Sequence, residues 1–462
     1  MSVTPPMRAP TTTGHLARHI LSYPEAPLSA AALTVAKQCV LDWFAVTLAA
    51  RDEPLVRLLC EELEGVGAAT VVGTAQRCSP MNAALINGAA SHALDYDDCH
   101  HLVGHPTTAV LPAVLAIAEV QGASGAAALR ALVAGVEAAA VIGSLVLPTH
   151  YDRGFHATAT LGAFGAAAAA GVLLELDEAQ MTMALGLAGA QAAGLKSMFG
   201  TMTKPFHAGK AAANGLFAAR LAKRGFTAHP DVLDVDQGFI ATQGRAHPSS
   251  EARFAPPGET IVDTLFKYHA ACYLTHSTIE AVSALRASHG LEAGDIARID
   301  IHAAPGHRKV CDIPAPRTGL EVKFSLRHLA ALAVLGVDTA AIDTYSDATA
   351  NAPEAAALRE RVQVHGDGEG ETAAVVEITT RAGAVLKRHE DVGVPVRDLA
   401  AQQARLERKF RSLTKPILGE DQALSLSEAI GGLDRAGSVD ELLIYPLRGV
   451  RPAAAGAVRR HS

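Results

Sequence analysis

Aromatic residues are scarce in this chain, at 4% of its 462 residues, although 49% of the residues are hydrophobic. The apolar content is therefore mostly alanine, leucine and valine. Such a composition favours helices that approach one another closely through small side chains. A chain of this length has enough material for two or three domains and a sizeable core.

The sequence also has no excess of positive charge, since 40 basic and 47 acidic residues give a net charge of −7. This balance argues against a nucleic-acid partner, so an anionic substrate would need a locally basic site. The six cysteines include no CxxC pair, which indicates free thiols in a reducing compartment. The N-terminal residues lack the apolar segment of a secretory signal, and we therefore expect a cytoplasmic protein.

Two apolar segments, 131–147 and 157–174, are long enough to be mistaken for membrane spans. The first carries Glu137, and the second is rich in alanine, glycine and threonine, which contribute little to membrane insertion. We predict that both are buried helices of a large bundle, and we expect no membrane partner.

Apolar residues recur at helical spacing up to about residue 263, and Ser29 and Ser79 stand where helix caps are expected. The helices predicted in this part cover 29–50, 55–64, 79 to about 92, 106–120, 125–147, 157–174, 178–194 and 210–224. Residues 71–73 are expected to be extended, and 151–156 and 199–209 to be loops. We expect residues 1–13 to be disordered and the basic tail, 448–462, to be loose.

The pattern changes beyond residue 263, where alternating apolar and polar residues predict strands at 299–302 and 362–365. A hairpin is predicted from 373–380 and 385–390, and helices are predicted at 277–289, 325–336 and 353–359. The fold class is therefore mainly α with an α/β part. We predict a large all-α domain in 14–265, a smaller inserted α/β domain in 266–396, and C-terminal helices in 397–450 that complete the helical domain.

Acidic and imidazole side chains crowd into residues 91–110, between two runs that are predicted to be apolar helix. The carboxylates are Asp95, Asp97 and Asp98, and the imidazoles are His92, His100, His101 and His105. Such groups are costly near a core unless they are paired or used. Carboxylate–imidazole pairs at a helix edge commonly set proton donors and acceptors near neutral pH. A metal site or a solvated acidic turn are the alternatives.

Three more polar clusters stand at the ends of apolar helices: His156, Lys204 with His207, and residues 267–276. The lysines can bind carboxylates, and His105, His156 and His276 can carry protons. This set suits a substrate with several carboxylates and a reaction that moves a proton at carbon. Elimination of water, decarboxylation and epimerisation all fit.

Motifs of competing chemistries are missing from the sequence. It contains no GxGxxG after a strand, no Walker A motif, no GxSxG and no HExxH. His100 and His101 with Asp97 and Asp98 could bind a metal, although adjacent residues rarely chelate one ion through both side chains. We therefore expect acid–base chemistry without a metal or an organic cofactor.

The polar clusters lie within stretches that resemble the MmgE/PrpD family, which includes 2-methylcitrate dehydratase, cis-aconitate decarboxylase and iminodisuccinate epimerase. The matching stretches are HALDYDD with HP (92–106), GFHATATLGAFGAA (154–167), TKPFHAGKAAANG (203–215), KYHAACYLTH (267–276) and KFSL (323–326). The resemblance spans residues from about 20 to 440.

This resemblance implies a helical domain with a smaller α/β lid domain, a homodimer, and a metal-free active site in the cleft between the domains. It implies catalytic roles for the residues at matching positions. To these we add His276, the last residue of the matching stretch KYHAACYLTH. The predicted catalytic residues are Asp95, His105, His156, Lys204 and His276. The predicted substrate-binding residues are Lys267, Tyr268, Cys272 and His207.

We expect a cofactor-independent lyase acting on a small di- or tricarboxylate, with a 2-methylcitrate dehydratase-like hydro-lyase as the first choice. A decarboxylase or epimerase on the same scaffold is the alternative, and a non-catalytic dimeric carboxylate-binding protein is an alternative of another class. Cys272 stands where the mammalian-type decarboxylases of the family have a histidine, which weakens that assignment.

Overall fold

The computed structural model describes residues 11–244, 252 and 254–448, and the side chains up to residue 445. The helices, in chain order, are α1 Thr12–Leu21, α2 Ala30–Ala49, α3 Pro54–Glu62, α4 Pro80–His92, α5 Pro106–Gln121, α6 Gly125–Val146, α7 Thr149–Asp152, α8 Ala157–Leu173, α9 Glu178–Gln191, α10 Thr203–Lys223, α11 Phe239–Gln243, α12 His276–His289, α13 Pro305–Cys311, α14 Gly319–Val322, α15 Leu326–Leu335, α16 Asp347–Ala350, α17 Pro353–Arg359, α18 Leu399–Leu418, α19 Glu420–Gly431 and α20 Asp440–Arg448.

The strands are β1 Ala69–Thr70, β2 Arg77–Cys78, β3 Ile296–Ala303, β4 Val362–His365, β5 Ala373–Thr380 and β6 Val385–Asp391. Strands β1 and β2 form a short antiparallel pair. The other strands form one sheet in the order β4-β3-β5-β6, in which β3 and β4 are parallel and the other pairs are antiparallel. The predicted fold class, mainly α with a smaller α/β part, is confirmed.

The chain divides into two compact units. The larger unit contains the described residues up to Ala93, Cys99–Val262 and the described residues from Thr414, and the smaller unit contains Leu94–Asp98 and Asp263–Leu413. Most of α18 therefore belongs to the smaller unit, whereas the sequence analysis assigned all of it to the helical domain. The predicted boundaries at 265 and 396 stay predictions.

Side-chain caps define where several helices of the larger unit begin. The hydroxyl of Ser29 accepts the N–H of Ala32, and that of Ser79 accepts the N–H of Asn82. Each bond satisfies one of the N–H groups that a helix leaves without an internal partner. Both caps are as the sequence predicts, and α2 and α4 follow them directly.

Small residues let the central helices of the larger unit pack closely. Helices α5, α8 and α10 meet through Ala109, Ala163 and Ala211, which are buried together. Helices α4 and α10 approach at a pair of glycines, where a Cβ on Gly209 would lie 2.1 Å from the carbonyl oxygen of Leu85. No side chain fits at that contact, so glycine sets the separation of α4 and α10.

The sheet of the smaller unit packs against α12 and α15. Its core is aliphatic and includes Ile299 and Ile301 of β3 together with Val376 and Ile378 of β5. Buried and half-buried residues alternate along β5 from Ala374 to Ile378, whereas in β3 Asp300 is buried together with Ile299 and Ile301. The polar residue within the predicted alternation at 299–302 therefore does not mark an exposed position.

Two helices, Ala30–Ala49 and Gly125–Val146, are long and apolar enough to cross a membrane by length and composition alone. The protein itself buries 78% and 89% of their apolar windows. Core helices show the same burial, so their hydropathy is weak support for a membrane span.

The structure corrects several local predictions. The segment 199–209 is not all loop, because α10 begins at Thr203 and contains Lys204, Pro205 and His207. A proline is tolerated in the first turn of a helix, where its missing N–H would have no partner inside the helix. Residues 12 and 13 belong to α1, and α7 occupies part of the loop predicted at 151–156. Extended residues lie at 69–70 rather than 71–73. The expectations for residues 1–10 and 449–462 lie outside the described residues.

We predict that Gly209→Ala lowers the free energy of unfolding by about 1 to 3 kcal/mol, because the added Cβ overlaps α4. Urea unfolding followed by circular dichroism measures the change. Gly306→Ala is the matched control, since Gly306 lies in α13 and a Cβ there meets nothing within 4 Å. Equal unfolding midpoints for the two variants would contradict the close contact between α4 and α10.

Candidate active site

Four imidazoles of the larger unit form one cluster, and each lies at or near a helix end. His92 ends α4, His105 and His156 directly precede α5 and α8, and His207 lies early in α10. The ring centroids of His92 and His105 are 4.5 Å apart, and those of His156 and His207 are 5.4 Å apart. The ring of His92 also stacks on His156 at 6.0 Å. We call this group the imidazole cluster.

Backbone hydrogen bonds fix the two imidazoles that precede helices. The N–H of His105 donates to the hydroxyl of Thr158 at 3.1 Å, and the N–H of His156 donates to the carbonyl of Gly194 at 3.0 Å. Pro106 follows His105 and supplies the first residue of α5, a position where proline is favoured. Sequence features that start the helices therefore also place the imidazoles.

The pKa of His156 is lowered strongly by its surroundings. Only 3% of the residue is exposed, and this burial, together with the nearby charges of His92, Lys204, His105 and His207, lowers its pKa to about 2. Burial also lowers the pKa of His207. Their Nδ1 atoms lie 3.2 Å apart, so in the neutral state one ring donates and the other accepts. The rings therefore have different tautomers.

The side chains that act electrostatically on His156 favour an anion. Burial is the main cause of the low pKa of His156. The side chains that lower it further are all cationic when protonated, and one of them is Lys204. Lys204 Nζ lies 5.5 Å from the ring centroid of Phe199. The rings of Phe199 and His156 are in edge-to-face contact, with their centroids 5.0 Å apart. A carboxylate placed among these groups would balance their charge and raise the pKa of His156.

The smaller unit carries a buried ammonium paired with a carboxylate. Lys267 Nζ donates to the backbone carbonyl of Asp95 at 2.7 Å and to its Oδ1 at 3.1 Å. The side chain of Lys267 is 3% exposed, whereas that of Asp95 is 48% exposed. Asp95 has a φ of 50°, a left-handed conformation that aspartate tolerates better than most residues. The turn directs the backbone carbonyl oxygen and Oδ1 of Asp95 to one ammonium.

Cys272 lies close to the pair of Lys267 and Asp95. The thiol of Cys311 donates a hydrogen bond to Cys272, which lowers the pKa of Cys272 to about 7 against the opposing effect of burial. The Leu274 N–H and the Lys267 ammonium also favour the thiolate, whereas Asp95 opposes it.

The other two predicted residues of the smaller unit lie in packed positions. His276 is buried, with Nε2 3.2 Å from the carbonyl of Ala271, and burial is the main cause of a pKa well below its usual value. The guanidinium carbon of Arg405 lies over the ring of Tyr268, 3.6 Å from its centroid. The structure thus groups His105, His156, Lys204 and His207 in the larger unit, and Asp95, Lys267 and Cys272 in the smaller one. The roles assigned to all nine residues, and the cleft between the domains, stay predictions.

His100, which the sequence analysis considered as a metal ligand, uses both ring nitrogens within the larger unit. Its Nδ1 accepts the N–H of Leu102 at 3.2 Å, and its Nε2 lies 3.3 Å from the carbonyl of Thr260. These bonds hold the loop between α4 and α5 against the segment at 260. They give His100 a structural role in this loop.

Sequence reasoning missed two residues of these groups. His92 belongs to the stretch 91–110, which was identified from the sequence, but it received no role there, although it stands three residues before Asp95.

Lys409 is the second residue; it lies in α18, far along the chain, and resembles any lysine of an amphipathic helix. It is 2% exposed, and its Nζ donates to the carbonyls of Tyr96 at 2.7 Å and Lys267 at 2.9 Å. Lys409 therefore ties the Asp95 turn to the segment that carries Lys267.

Comparisons with known proteins agree with these motifs. Family models for the MmgE/PrpD N-terminal domain and the MmgE/PrpD C-terminal domain match residues 14–251 and 269–434. The chain is 28% identical over 380 residues to the cis-aconitate decarboxylase of Homo sapiens, covering 78% of this chain and 77% of that protein. It is 29% identical over 411 residues to the cis-aconitate decarboxylase of Aspergillus terreus, covering 82% and 84%. A cis-aconitate decarboxylase-like protein of Aspergillus oryzae is 30% identical over 307 residues, covering 62% and 64%.

We predict that Lys409→Met lowers the free energy of unfolding by about 2 to 5 kcal/mol, because two buried carbonyls lose their donor. Urea unfolding measures the change. Lys415→Met is the control on the same helix, since the exposed pair of Lys415 with Glu420 contributes little. Equal stability of the two variants would show that Lys409 does not hold these segments.

Proposed function

Because the chain belongs to the MmgE/PrpD family, we propose that it is a lyase that acts on a small di- or tricarboxylate by acid–base catalysis, without a bound cofactor. The family resemblance seen in the motifs is confirmed. The relatives that are named cis-aconitate decarboxylase support the general activity, that of a lyase acting on a carboxylate substrate. The alternative of a non-catalytic binding protein loses support for the same reason.

The imidazole cluster is the observation that carries the proposal. It holds several proton carriers within contact of one another, and burial keeps His156 neutral at physiological pH. A neutral imidazole can take a proton from carbon, and its neighbour can give one to a leaving group or to a carbanion. Lys204 and Lys267 are proposed to bind carboxylates, because a poorly hydrated ammonium pairs strongly with an anion.

Decarboxylation of a cis-aconitate-like substrate is our first choice among the finer activities. In that reaction the electrons of the broken carbon–carboxylate bond pass to carbon, carbon dioxide leaves, and an imidazolium supplies the proton that carbon takes up. The names of the relatives favour this choice over the dehydratase that the motifs alone suggested. Dehydration of a 2-methylcitrate-like substrate is second, since the contact between His156 and His207 provides both a base and an acid.

The remaining expectations are part of the same proposal. We propose that the protein works as a homodimer in the cytoplasm, with a small carboxylate as its partner and with neither nucleic acid nor membrane. We propose that Asp95 orients an imidazole and stabilises its charged form, as its motif suggests. Because its carboxylate accepts a hydrogen bond from Lys267, we propose that it also orients that ammonium.

A substrate screen tests the proposal. We predict that the protein releases carbon dioxide from cis-aconitate when it is incubated with 2-methylcitrate, citrate, cis-aconitate and iminodisuccinate and followed by proton NMR in deuterated water. Loss of water from 2-methylcitrate would select the dehydratase. Exchange of deuterium into recovered iminodisuccinate, without other products, would select the epimerase. Binding without any turnover would contradict the lyase.

On the substrate so identified, we expect His156→Ala to lower kcat by about 10²- to 10⁴-fold, the usual effect of removing a general acid or base. Lys204→Ala should lower kcat/KM by about 10- to 100-fold, the effect of losing one charge-assisted hydrogen bond. His289→Ala and Lys223→Ala are the controls, since His289 is exposed at the end of α12 and Lys223 lies at the end of α10. Unchanged kinetics in both test variants would refute these roles.

We also predict that binding of a polycarboxylate is accompanied by proton uptake. The pKa of His156 is low because the ring is buried and because its neighbours are cationic when protonated, so an added anion raises that pKa. Calorimetric titration with tricarballylate, which has no bond to cleave in this reaction, measures uptake as a dependence of the heat on the ionisation enthalpy of the buffer. His156→Ala should show less uptake than His289→Ala. Proton release on binding would contradict the prediction.

A further inference from the structure

The backbone that leads into α10 is tied to the imidazole cluster. The carbonyl of Gly194 accepts the N–H of His156 at 3.0 Å, and the N–H of Lys196 donates to the carbonyl of Gly154 at 2.8 Å. A short turn follows and ends at Phe199, whose N–H donates to the carbonyl of Lys196 at 3.0 Å. These bonds fix the path of the chain up to Phe199.

Phe199 is an apolar side chain in contact with two polar groups. Its ring and that of His156 are in edge-to-face contact, with centroids 5.0 Å apart, and Lys204 Nζ lies over it, 5.5 Å from its centroid. The face of an aromatic ring attracts a cation within about 6 Å. Phe199 is 37% exposed, so burial in the core does not account for its position. The contacts with His156 and Lys204 distinguish it from other exposed apolar residues.

We propose that Phe199 is a positioning residue of the site: its ring shields one side of the His156 imidazole from water and holds the Lys204 ammonium close to it. His156 is 3% exposed, and burial is the main cause of its low pKa, so a side chain that covers the ring favours the neutral imidazole. The effect of Phe199 on turnover rests on the proposed function, in which His156 carries a proton and Lys204 binds a carboxylate.

The two contacts of the ring lead to different effects on kcat and KM. Phe199→Ala should lower kcat by about 10- to 100-fold on the substrate that the wild-type chain turns over, because a displacement of about 1 Å at a reacting group can cost that much. KM should rise by only about 2- to 5-fold, the range expected from one cation–π contact. Phe199→Tyr keeps an aromatic ring and should restore kcat to within about 3-fold of the wild-type value.

Chemical modification tests the shielding without any turnover. Diethyl pyrocarbonate acylates neutral imidazole, and peptide mapping by mass spectrometry gives the rate at His156 in the full-length protein near neutral pH. We expect His156 to be modified about 3-fold faster or more in Phe199→Ala, since loss of a large side chain leaves a gap beside the imidazole. Phe199→Leu fills more of that gap and should be modified more slowly than Phe199→Ala.

Phe217→Ala is the matched control, since Phe217 is a phenylalanine of α10 that is 40% exposed. It should leave the modification rate and the kinetics unchanged, and circular dichroism checks that every variant folds. Equal modification of His156 in the wild-type chain and in Phe199→Ala would overturn the shielding, and an unchanged kcat would overturn the positioning role. A wild-type chain without turnover on any carboxylate tested would defeat the proposed function, whereas faster modification of Phe199→Ala would still support the shielding.

Discussion

The close packing of helices through alanine and glycine is the constraint on which the candidate site depends. Larger side chains at Ala109, Ala163 and Ala211 would separate α5, α8 and α10, and a side chain at Gly209 would separate α10 from α4. The imidazoles stand at the ends of these same helices, so their contacts follow from the helix packing. The high share of small apolar residues in the composition supplies the side chains that this packing needs.

Helix direction adds to the electrostatics of the imidazole cluster. Helices α5, α8 and α10 begin near it and only α4 ends there, so the partial positive charges of three helix N-termini outnumber the partial negative charge of one C-terminus. Together with Lys204 and with burial, these dipoles disfavour protonation of His156 and favour an anion. The smaller unit handles charge differently, because its buried ammonium at Lys267 already holds the Asp95 carboxylate. Lys409 donates to the backbone carbonyls of Lys267 and of Tyr96, the residue that follows Asp95.

Much of this fold could be predicted from local sequence. The caps at Ser29 and Ser79, the strands at 362–365 and 373–380, and the helix at 353–359 agree with the structure because neighbouring residues alone determine them. The start of α10 was missed because a proline after Lys204 suggests a break, whereas proline is acceptable in a first helical turn. Lys409 was missed because its role depends on the carbonyls of Tyr96 and Lys267, which are distant in sequence. Contacts of that kind leave no local pattern.

The acid–base groups alone cannot distinguish loss of water from loss of carbon dioxide, because both reactions need a base, an acid and a way to bind carboxylates. The difference lies in which carboxylate the ammonium groups hold. A carboxylate that leaves as carbon dioxide must lose its charge in the transition state, so an ammonium bound to it would stabilise the ground state and slow the reaction. In a decarboxylase, a lysine that binds the substrate would therefore hold a carboxylate that remains. In a dehydratase every carboxylate survives, and any of them can be bound. Under the proposed function, the carboxylate that an ammonium binds would thus decide between the two reactions, while the imidazole cluster would supply protons to either.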